Sequence, residues 1–207
     1  HSMSAVFDGS WNLLTELERG VFQTLSVFSG GFTREAADRV SGASLYELRA
    51  LVERSLLQVT PSGRYQIHEL LRQYAAEKLG SLPEAAAGAR NRHCAYYIAA
   101  LKRWEADLFG SRQQEALVEM ETEIGNFSAA WTWAVERGQV ERLDRAMEGL
   151  QHFYWHSGRY QEGAAALQAA ATAAEAPARK EKGAPSRGAP SGRGDPAASG
   201  PRGQRAR

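Results

Sequence analysis

Residues 44–79 read SLYELRALVERSLLQVTPSGRYQIHELLRQYAAEKL, and this stretch decides the fold. Leucines recur at helical spacing after Ser44, a residue type that often caps helices. Apolar and polar residues then alternate over 57–60 and again over 64–67, on either side of Pro61-Ser62-Gly63. This pattern predicts a helix, a β-hairpin closed by the three-residue turn, and a further helix.

Two helices are predicted before this stretch, and each begins at a threonine that can act as a cap. Thr15 is followed three residues later by Glu18, which is the pattern of a capping box. This helix is expected to end at Gly30-Gly31, since glycine favours helix ends. The second helix is expected to run from Thr33 to Gly42.

The order of three helices, a hairpin and a closing helix is that of a winged-helix domain, which we place at residues 10–80. One apolar residue set is expected to face its core: Leu17, Val21, Phe22, Leu25, Phe28, Ala36, Ala37, Val40, Leu45, Leu48, Leu51, Val52, Leu56, Leu70, Leu71, Tyr74, Ala75 and Leu79.

Residues 84–175 are rich in Ala, Glu, Leu and aromatic residues and are predicted to be helical throughout. Four apolar stripes mark four helices: Tyr97, Leu101, Trp104 and Leu108; Leu117, Ile124, Phe127, Trp131 and Ala134; Val140, Leu143, Met147, Leu150 and Tyr154; and Tyr160, Ala164, Leu167 and Ala171. Short glycine-containing turns between them favour an antiparallel array like that of tetratricopeptide repeats, although no strict 34-residue signature is present. The fold class is therefore mainly α.

Residues 176–207 contain no large apolar residue, and they carry eight Lys or Arg against two acids, a net charge of +6. Such a segment has nothing to bury, so its composition predicts disorder. The other residues carry a net charge of −5, which disfavours binding of polyanions through the folded part.

No sequence motif of an enzyme is present. The chain lacks any Gly-Lys dipeptide, and with it a phosphate-binding loop, and it has no G-x-S-x-G elbow. We therefore expect no catalytic residue, no resident cofactor and no enzymatic activity in this chain. One cysteine, no apolar run of about 18 residues and no signal peptide favour a cytoplasmic protein without a membrane partner.

Two further groups of residues could carry chemistry: an acid and two histidines at helical spacing, and the cysteine. Glu148, His152 and His156 share one helix face, but no fourth ligand is evident, so we favour a solvated or partner-facing stripe and expect no metal. Cys94 is expected to be a partly buried structural residue rather than a nucleophile.

Direct DNA binding is disfavoured by the charge of the winged-helix domain. Its eight acids balance its eight bases, and the hairpin supplies only Arg64. The third helix, expected over 44–55, offers a mixed exposed set: Glu47, Arg49, Glu53 and Arg54. A helix that enters the major groove generally presents several basic or amide side chains.

Residues 10–170 resemble the winged-helix domain and the start of the helical sensor of bacterial STAND-class signalling ATPases, the AfsR-like and LuxR-type regulators with an NB-ARC core. Five stretches carry the resemblance: SWNLLTELERGVFQTLSVFSGGFTREAA, LRALVERSLLQV, RYQIHELLRQYAAEKL, NRHCAYYIAAL and METEIGNFSAAWTWAVERG. In that family the winged helix folds as a lid over a nucleotide held by an upstream ATPase core.

The resemblance points to His68 as a site residue. Ile67-His68-Glu69 stands where the family has Met-His-Asp, whose histidine contacts the β-phosphate of ADP. The resemblance thus implies ADP or ATP in the longer parent protein, its ATPase core as a partner, and an inducer or protein partner on the array. Without the core, this chain is expected to bind ADP weakly or not at all. A helix N-terminus also suits phosphate on physical grounds, although a histidine there can simply cap the helix.

Three hypotheses follow. The first is a regulatory segment of a STAND-type ATPase and transcriptional regulator, with the winged helix as the lid of a nucleotide switch and the array as its sensor. The second is a stand-alone winged-helix regulator that binds DNA. The third is a scaffold whose array docks a protein partner.

Overall fold

The structure is a computed structural model that describes the backbone of residues 3–182 and the side chains of residues 7–175. Within that range the chain is mainly helical with one small two-stranded antiparallel sheet, as the sequence predicts, and it has nine helices. The elements are α1 (Met3–Asn12), α2 (Glu16–Leu25), α3 (Arg34–Ser41), α4 (Leu45–Glu53), β1 (Gln58–Val59), β2 (Tyr65–Gln66), α5 (Glu69–Gly80), α6 (Pro83–Leu108), α7 (Gln113–Glu136), α8 (Val140–His156) and α9 (Tyr160–Lys182).

The predicted caps of α2, α3 and α4 are confirmed. Thr15 accepts a hydrogen bond from the Glu18 backbone N–H, while the Glu18 carboxylate accepts one from Thr15, so the capping box is complete. Ser44 forms a second capping box with Glu47. Thr33 caps α3, and these side chains satisfy backbone N–H groups that lack a partner within the helix.

The predicted end of α2 at Gly30-Gly31 is wrong, because the helix ends at Leu25. Ser26 turns the chain by bonding back to the Gln23 carbonyl through both its N–H and its hydroxyl. Phe28 therefore reaches the core from the connection, where it stacks on Phe32 with ring centroids 4.5 Å apart.

The third helix also ends early, at Glu53 rather than at residue 55. Ser55 has a φ of 59°, and the chain reverses there so that the N–H groups of Leu56 and Leu57 both bond to the Leu51 carbonyl. Both leucines are buried, so the hairpin that follows is anchored on the core.

Leu17 and Leu45 were expected in the core, but they are 65% and 51% exposed. Each lies in the first turn of its helix, where no described neighbour covers the apolar stripe. The first helix, α1, was not predicted. It packs on α5, where Trp11 meets the edge of Tyr74 and the Tyr74 hydroxyl donates to Asp8 at 2.7 Å.

The four helices α6–α9 of the array are confirmed, and small residues bring them close together. A Cβ added at Gly149 of α8 would lie 2.5 Å from the Leu101 carbonyl oxygen of α6. One at Gly163 of α9 would lie 2.7 Å from the Tyr154 Cβ of α8. Both helix contacts therefore depend on the absence of a side chain.

The apolar stripe that marks α9 in the sequence is not the face that the helix buries. Tyr160, Ala164 and Ala171 are exposed, whereas Gly163 and Ala170 are buried, because the glycine approach to Tyr154 turns that face inward. Helix α9 ends at Lys182, within the first residues of the segment predicted to be disordered, and that prediction stays a prediction. The rest of that predicted tail, residues 183–207, lies outside the described residues.

The main hydrophobic core of the described residues runs from α2 through α6 to α9. It contains large side chains from both sides of the predicted domain boundary, including Phe28 and Phe32 before it and Tyr97 and Phe127 after it. None of the described helices is long and apolar enough to span a membrane. The assignment of separate domains to 10–80 and 84–175 stays a prediction.

Candidate functional site at the junction of hairpin and array

The hairpin is joined to the array by an arginine whose side chain is mostly covered. Arg64, just before β2, donates from Nη1 to Glu123 Oε1 of α7 at 2.5 Å and from Nη2 to the Gly31 carbonyl at 2.8 Å. The side chains of Arg64 and Glu123 are only 17% and 9% exposed. A charge pair this far from water is held by its geometry and by further hydrogen bonds.

Asn126 extends this cluster, one helical turn after Glu123. Its Nδ2 donates to Glu123 Oε2 at 2.8 Å and to the Gly31 carbonyl at 2.9 Å, and its Oδ1 accepts from the Ser29 N–H at 2.8 Å. The Tyr97 hydroxyl of α6 donates to Glu123 Oε2 at 2.9 Å. We call these residues the junction cluster: Gly31, Arg64, Tyr97, Glu123 and Asn126.

Close backbone contact accompanies the junction cluster. A Cβ added at Gly125 would lie 2.6 Å from the Ser29 carbonyl oxygen, so α7 touches the loop before α3 directly. Phe28 packs edge-on against both His93 and Tyr97 of α6. The winged-helix elements and the first two array helices are thereby bound into one packed body.

Burial shifts the acid–base properties of two groups here. Burial, with the nearby Glu123 carboxylate, raises the pKa of Tyr97, so this phenol stays protonated and keeps donating. Desolvation lowers the pKa of His93 to about 4, outweighing its contact with Asn126 Oδ1 at 3.5 Å. His93 is therefore neutral at pH 7.

The predicted site residue His68 lies outside the junction cluster. It is the exposed N-cap of α5, and its Nδ1 accepts from the Leu70 N–H at 3.3 Å. With Nδ1 as an acceptor, the hydrogen of the neutral ring sits on Nε2 and points away from the cap. The structure thus shows the capping role, and the predicted contact with ADP stays a prediction.

The neighbour of His68 is engaged within the helix. Glu69 takes two hydrogen bonds from Arg72, both at 2.8 Å, and one from Gln73 at 2.9 Å. These bonds lower the pKa of Glu69 to about 2. Arg72 also donates to the Ser26 carbonyl at 3.3 Å, which ties the start of α5 to the end of α2.

The structure also places the histidines of α8 and Cys94. His152 packs edge-on against Phe109 with centroids 4.5 Å apart, and His156 lies 6.4 Å beyond it. Among the described residues, no three His, Cys, Asp or Glu side chains are grouped to hold a metal. Cys94 is buried, as expected, and burial raises the pKa of its thiol.

The outer face of α4, the third helix of the winged-helix arrangement, is open to solvent. Tyr46 is 76% exposed at its start. Arg49 is exposed too, but its guanidinium pairs with Glu53 at 2.8 Å. The arginine of the hairpin, Arg64, is already held by Glu123. Arg49 and Arg64 could each contact a DNA phosphate, but both guanidinium groups already pair with a glutamate.

Sequence reasoning did not identify the junction cluster. A signal existed, because Glu123 and Asn126 are polar residues on the buried face of α7, between the core residues Met120 and Phe127. Buried polar residues need partners, so their position on that stripe predicts a polar contact. Their partners lie in a loop and a hairpin far away in sequence, which the local pattern does not reveal.

The curated proteins that the chain matches include mycobacterial proteins named as transcriptional regulators. The chain is 33% identical over 172 residues to "Putative HTH-type transcriptional regulator Mb0914c" of Mycobacterium bovis. It matches "Putative HTH-type transcriptional regulator Rv0890c" of Mycobacterium tuberculosis to the same extent. Each alignment covers 78% of this chain but 19% of the relative, so the chain spans about a fifth of the length of the curated relatives it matches. No family model and no solved structure matches.

Proposed function

We propose that this chain is a segment of a transcriptional regulator in which the winged-helix elements and the helical array act as one unit. The main support for this proposal is the junction cluster, in which Arg64 of the hairpin donates a hydrogen bond to Glu123 of α7. The name of the relatives supports the regulatory role. In this proposal, a partner bound to the array changes the position of the hairpin through these buried contacts.

Hydrogen exchange measured by mass spectrometry tests the coupling. Glu123→Gln should speed exchange in the hairpin peptide at least about tenfold, because local opening becomes cheaper when the ion pair is lost. Glu115→Gln is the matched control, since Glu115 lies on the same helix but is exposed and pairs with Arg112. Unchanged hairpin exchange in Glu123→Gln would contradict the proposal.

The winged-helix elements have two candidate outputs, and the name of the relatives favours DNA contact. The exposed face of α4 is the surface that such a helix would present to a major groove. Two exposed arginines of α3, Arg34 and Arg39, would supply phosphate contacts, together with Arg49 once a phosphate displaces its exposed partner Glu53. With Arg64 engaged, this output predicts modest affinity that falls steeply with salt.

Fluorescence anisotropy with a duplex from the regulator's own promoter tests this output. Arg49→Gln should weaken binding at low salt about fivefold or more, since one phosphate contact is lost. Arg103→Gln is the control, because Arg103 is equally an exposed arginine but lies on α6 of the array. The absence of saturable binding, or an equal loss in the two variants, would exclude DNA contact through α4.

The second candidate output is the lid of a nucleotide switch, and the position of His68 favours it. The capped helix N-terminus directs backbone N–H groups outward, and Nε2 of His68 can donate to a phosphate oxygen. In this proposal the longer parent protein supplies the ATPase core and the ADP, and this chain alone shows no saturable heat with millimolar ADP in calorimetry.

The longer parent protein provides the test of the lid. His68→Ala should reduce the amount of ADP that copurifies with that protein, because a donor to the phosphate is removed. Glu77→Gln is the control on the exposed face of the same helix. Equal ADP content in the wild type and the His68 variant would contradict the lid, and micromolar ADP binding by the present chain would contradict its dependence on the core.

A further inference from the structure

A cavity of about 450 Å³ opens where α5, α6 and α7 meet the end of α2. It exists because the facing side chains are small: Ala76 and Gly80 of α5, Ala86 of α6 and Ala129 of α7. The cavity lies where the winged-helix elements meet the array, and it opens to solvent on one side. Its volume lies within the usual range for small-molecule sites, about 300–1,000 Å³.

Two guanidinium groups line this cavity. Among the described residues, the side chain of Arg90 has no ion-pair or hydrogen-bond partner, and its guanidinium lies 5.3 Å from the centre of the Trp133 ring. Arg72 uses three of its five N–H groups on Glu69 and Ser26, which leaves one on each terminal nitrogen. Unused guanidinium donors suit a carboxylate or another oxyanion.

The remaining wall combines apolar and polar side chains. Val27 and Leu79 line it, and Leu79 belongs with Ala86 to a small apolar cluster separate from the main core. Glu136 is the one acidic residue among the lining side chains, so the two arginines leave the lining with a positive balance. Apolar side chains beside a small number of cationic donors are the combination that binds an organic anion.

We propose that this cavity binds a small aromatic carboxylate, with its carboxylate at Arg90 and Arg72 and its ring against Val27 and Leu79. The site goes beyond the proposed function, which requires no small ligand. Because the bound anion would touch α5, α6 and α7 together, it would stabilise their packing. The junction cluster is not part of this site, so loss of one does not imply loss of the other.

Calorimetry and NMR with 2-naphthoate test the site, with 2-naphthalenemethanol as the neutral counterpart. 2-Naphthoate should saturate a single site and shift the indole N–H resonance of Trp133, which bonds to Asn91 Oδ1 at 2.9 Å. The neutral alcohol should bind about tenfold more weakly or worse, because it forms no charge-assisted hydrogen bond. Lack of saturation by about 5 mM 2-naphthoate would overturn the proposal.

Two substitutions test the site further: one removes a positive charge from the cavity, and the other removes a negative charge. Arg90→Met keeps much of the apolar stem and should weaken 2-naphthoate binding about tenfold. Glu136→Gln removes the opposing carboxylate and should tighten binding about threefold. Arg103→Met is the control for Arg90→Met, being an exposed arginine of the same helix that lies outside this cavity. Equal affinity of the wild type and Arg90→Met would overturn the site, even if the protein bound DNA as proposed.

Discussion

Arg64 and Glu123 are 59 residues apart in sequence, yet Nη1 of the arginine lies 2.5 Å from Oε1 of the glutamate. The pair is nearly removed from water, and each partner makes further hydrogen bonds to Gly31, Tyr97 or Asn126. A pair of this kind fixes the hairpin in one position against α7. In water it would contribute little, but here the loss of one partner strands a buried charge.

Glu123→Gln should therefore lower the free energy of unfolding by about 3 kcal/mol, because Arg64 keeps its charge without a counter-ion. Chemical denaturation followed by circular dichroism measures this change. Glu53→Gln is the matched control, since it breaks the exposed pair with Arg49, and it should cost no more than about 1 kcal/mol. Equal losses in the two variants would show that the buried pair has no special weight.

Gly125→Ala should destabilise the protein by about 1–3 kcal/mol, because the new Cβ would meet the Ser29 carbonyl at 2.6 Å and push α7 from the loop. Thermal unfolding gives the measurement. Gly20→Ala in α2 is the control, since nothing lies within 4 Å of its added Cβ, and alanine there should stabilise by about 0.5–1 kcal/mol. A stabilised Gly125→Ala variant would contradict the close contact at the junction.

The features predicted well from the sequence are those encoded within a few residues. Thr15 and Glu18 specify a helix start by themselves, and the alternation around the turn at residue 63 specifies the hairpin. The wrong predictions concern what lies beyond the local pattern. Leu17 fits its helical stripe, but no described neighbour covers it, and only the packed structure reveals that.

The junction cluster lies at the limit of what a single sequence can predict. The polar residues Glu123 and Asn126 on an apolar helix face signal that partners exist. Asn126 is 97 residues from the N–H of Ser29 and 95 from the carbonyl of Gly31, and nothing local selects those two groups. Likewise, α1 lacks a clear stripe, and it is positioned by Tyr74 of α5.

Trp11→Ala should cost about 2 kcal/mol of unfolding free energy, less than for a fully buried tryptophan, because Trp11 is half-buried against Tyr74. Its ring also lies 5.7 Å from the charged groups of Arg19 and Lys78, and these attractions would be lost. Denaturant unfolding tests this. Leu13→Ala, at a 73% exposed position next to α1, should change stability by no more than about 0.5 kcal/mol. A neutral Trp11→Ala variant would show that α1 does not support the fold.

The buried His93 should make stability depend on pH between about 6.5 and 4. Its pKa is about 4 in the folded protein, below the ordinary histidine value of 6.5, because burial among Phe28, Tyr97 and Asn126 penalises the charged ring. As the pH falls through this window, the unfolded chain takes up a proton before the folded one does. The stability is therefore fully present above pH 6.5 and falls progressively towards pH 4.

His93→Gln tests that dependence, because glutamine is polar but does not titrate. Between pH 6.5 and 4 the wild type should lose on the order of 3 kcal/mol more than the variant, since each pKa unit corresponds to about 1.4 kcal/mol. The carboxylates titrate in both proteins, so the difference between them isolates His93. Parallel pH profiles for wild type and His93→Gln would mean that His93 takes up its proton equally in the folded and unfolded chains.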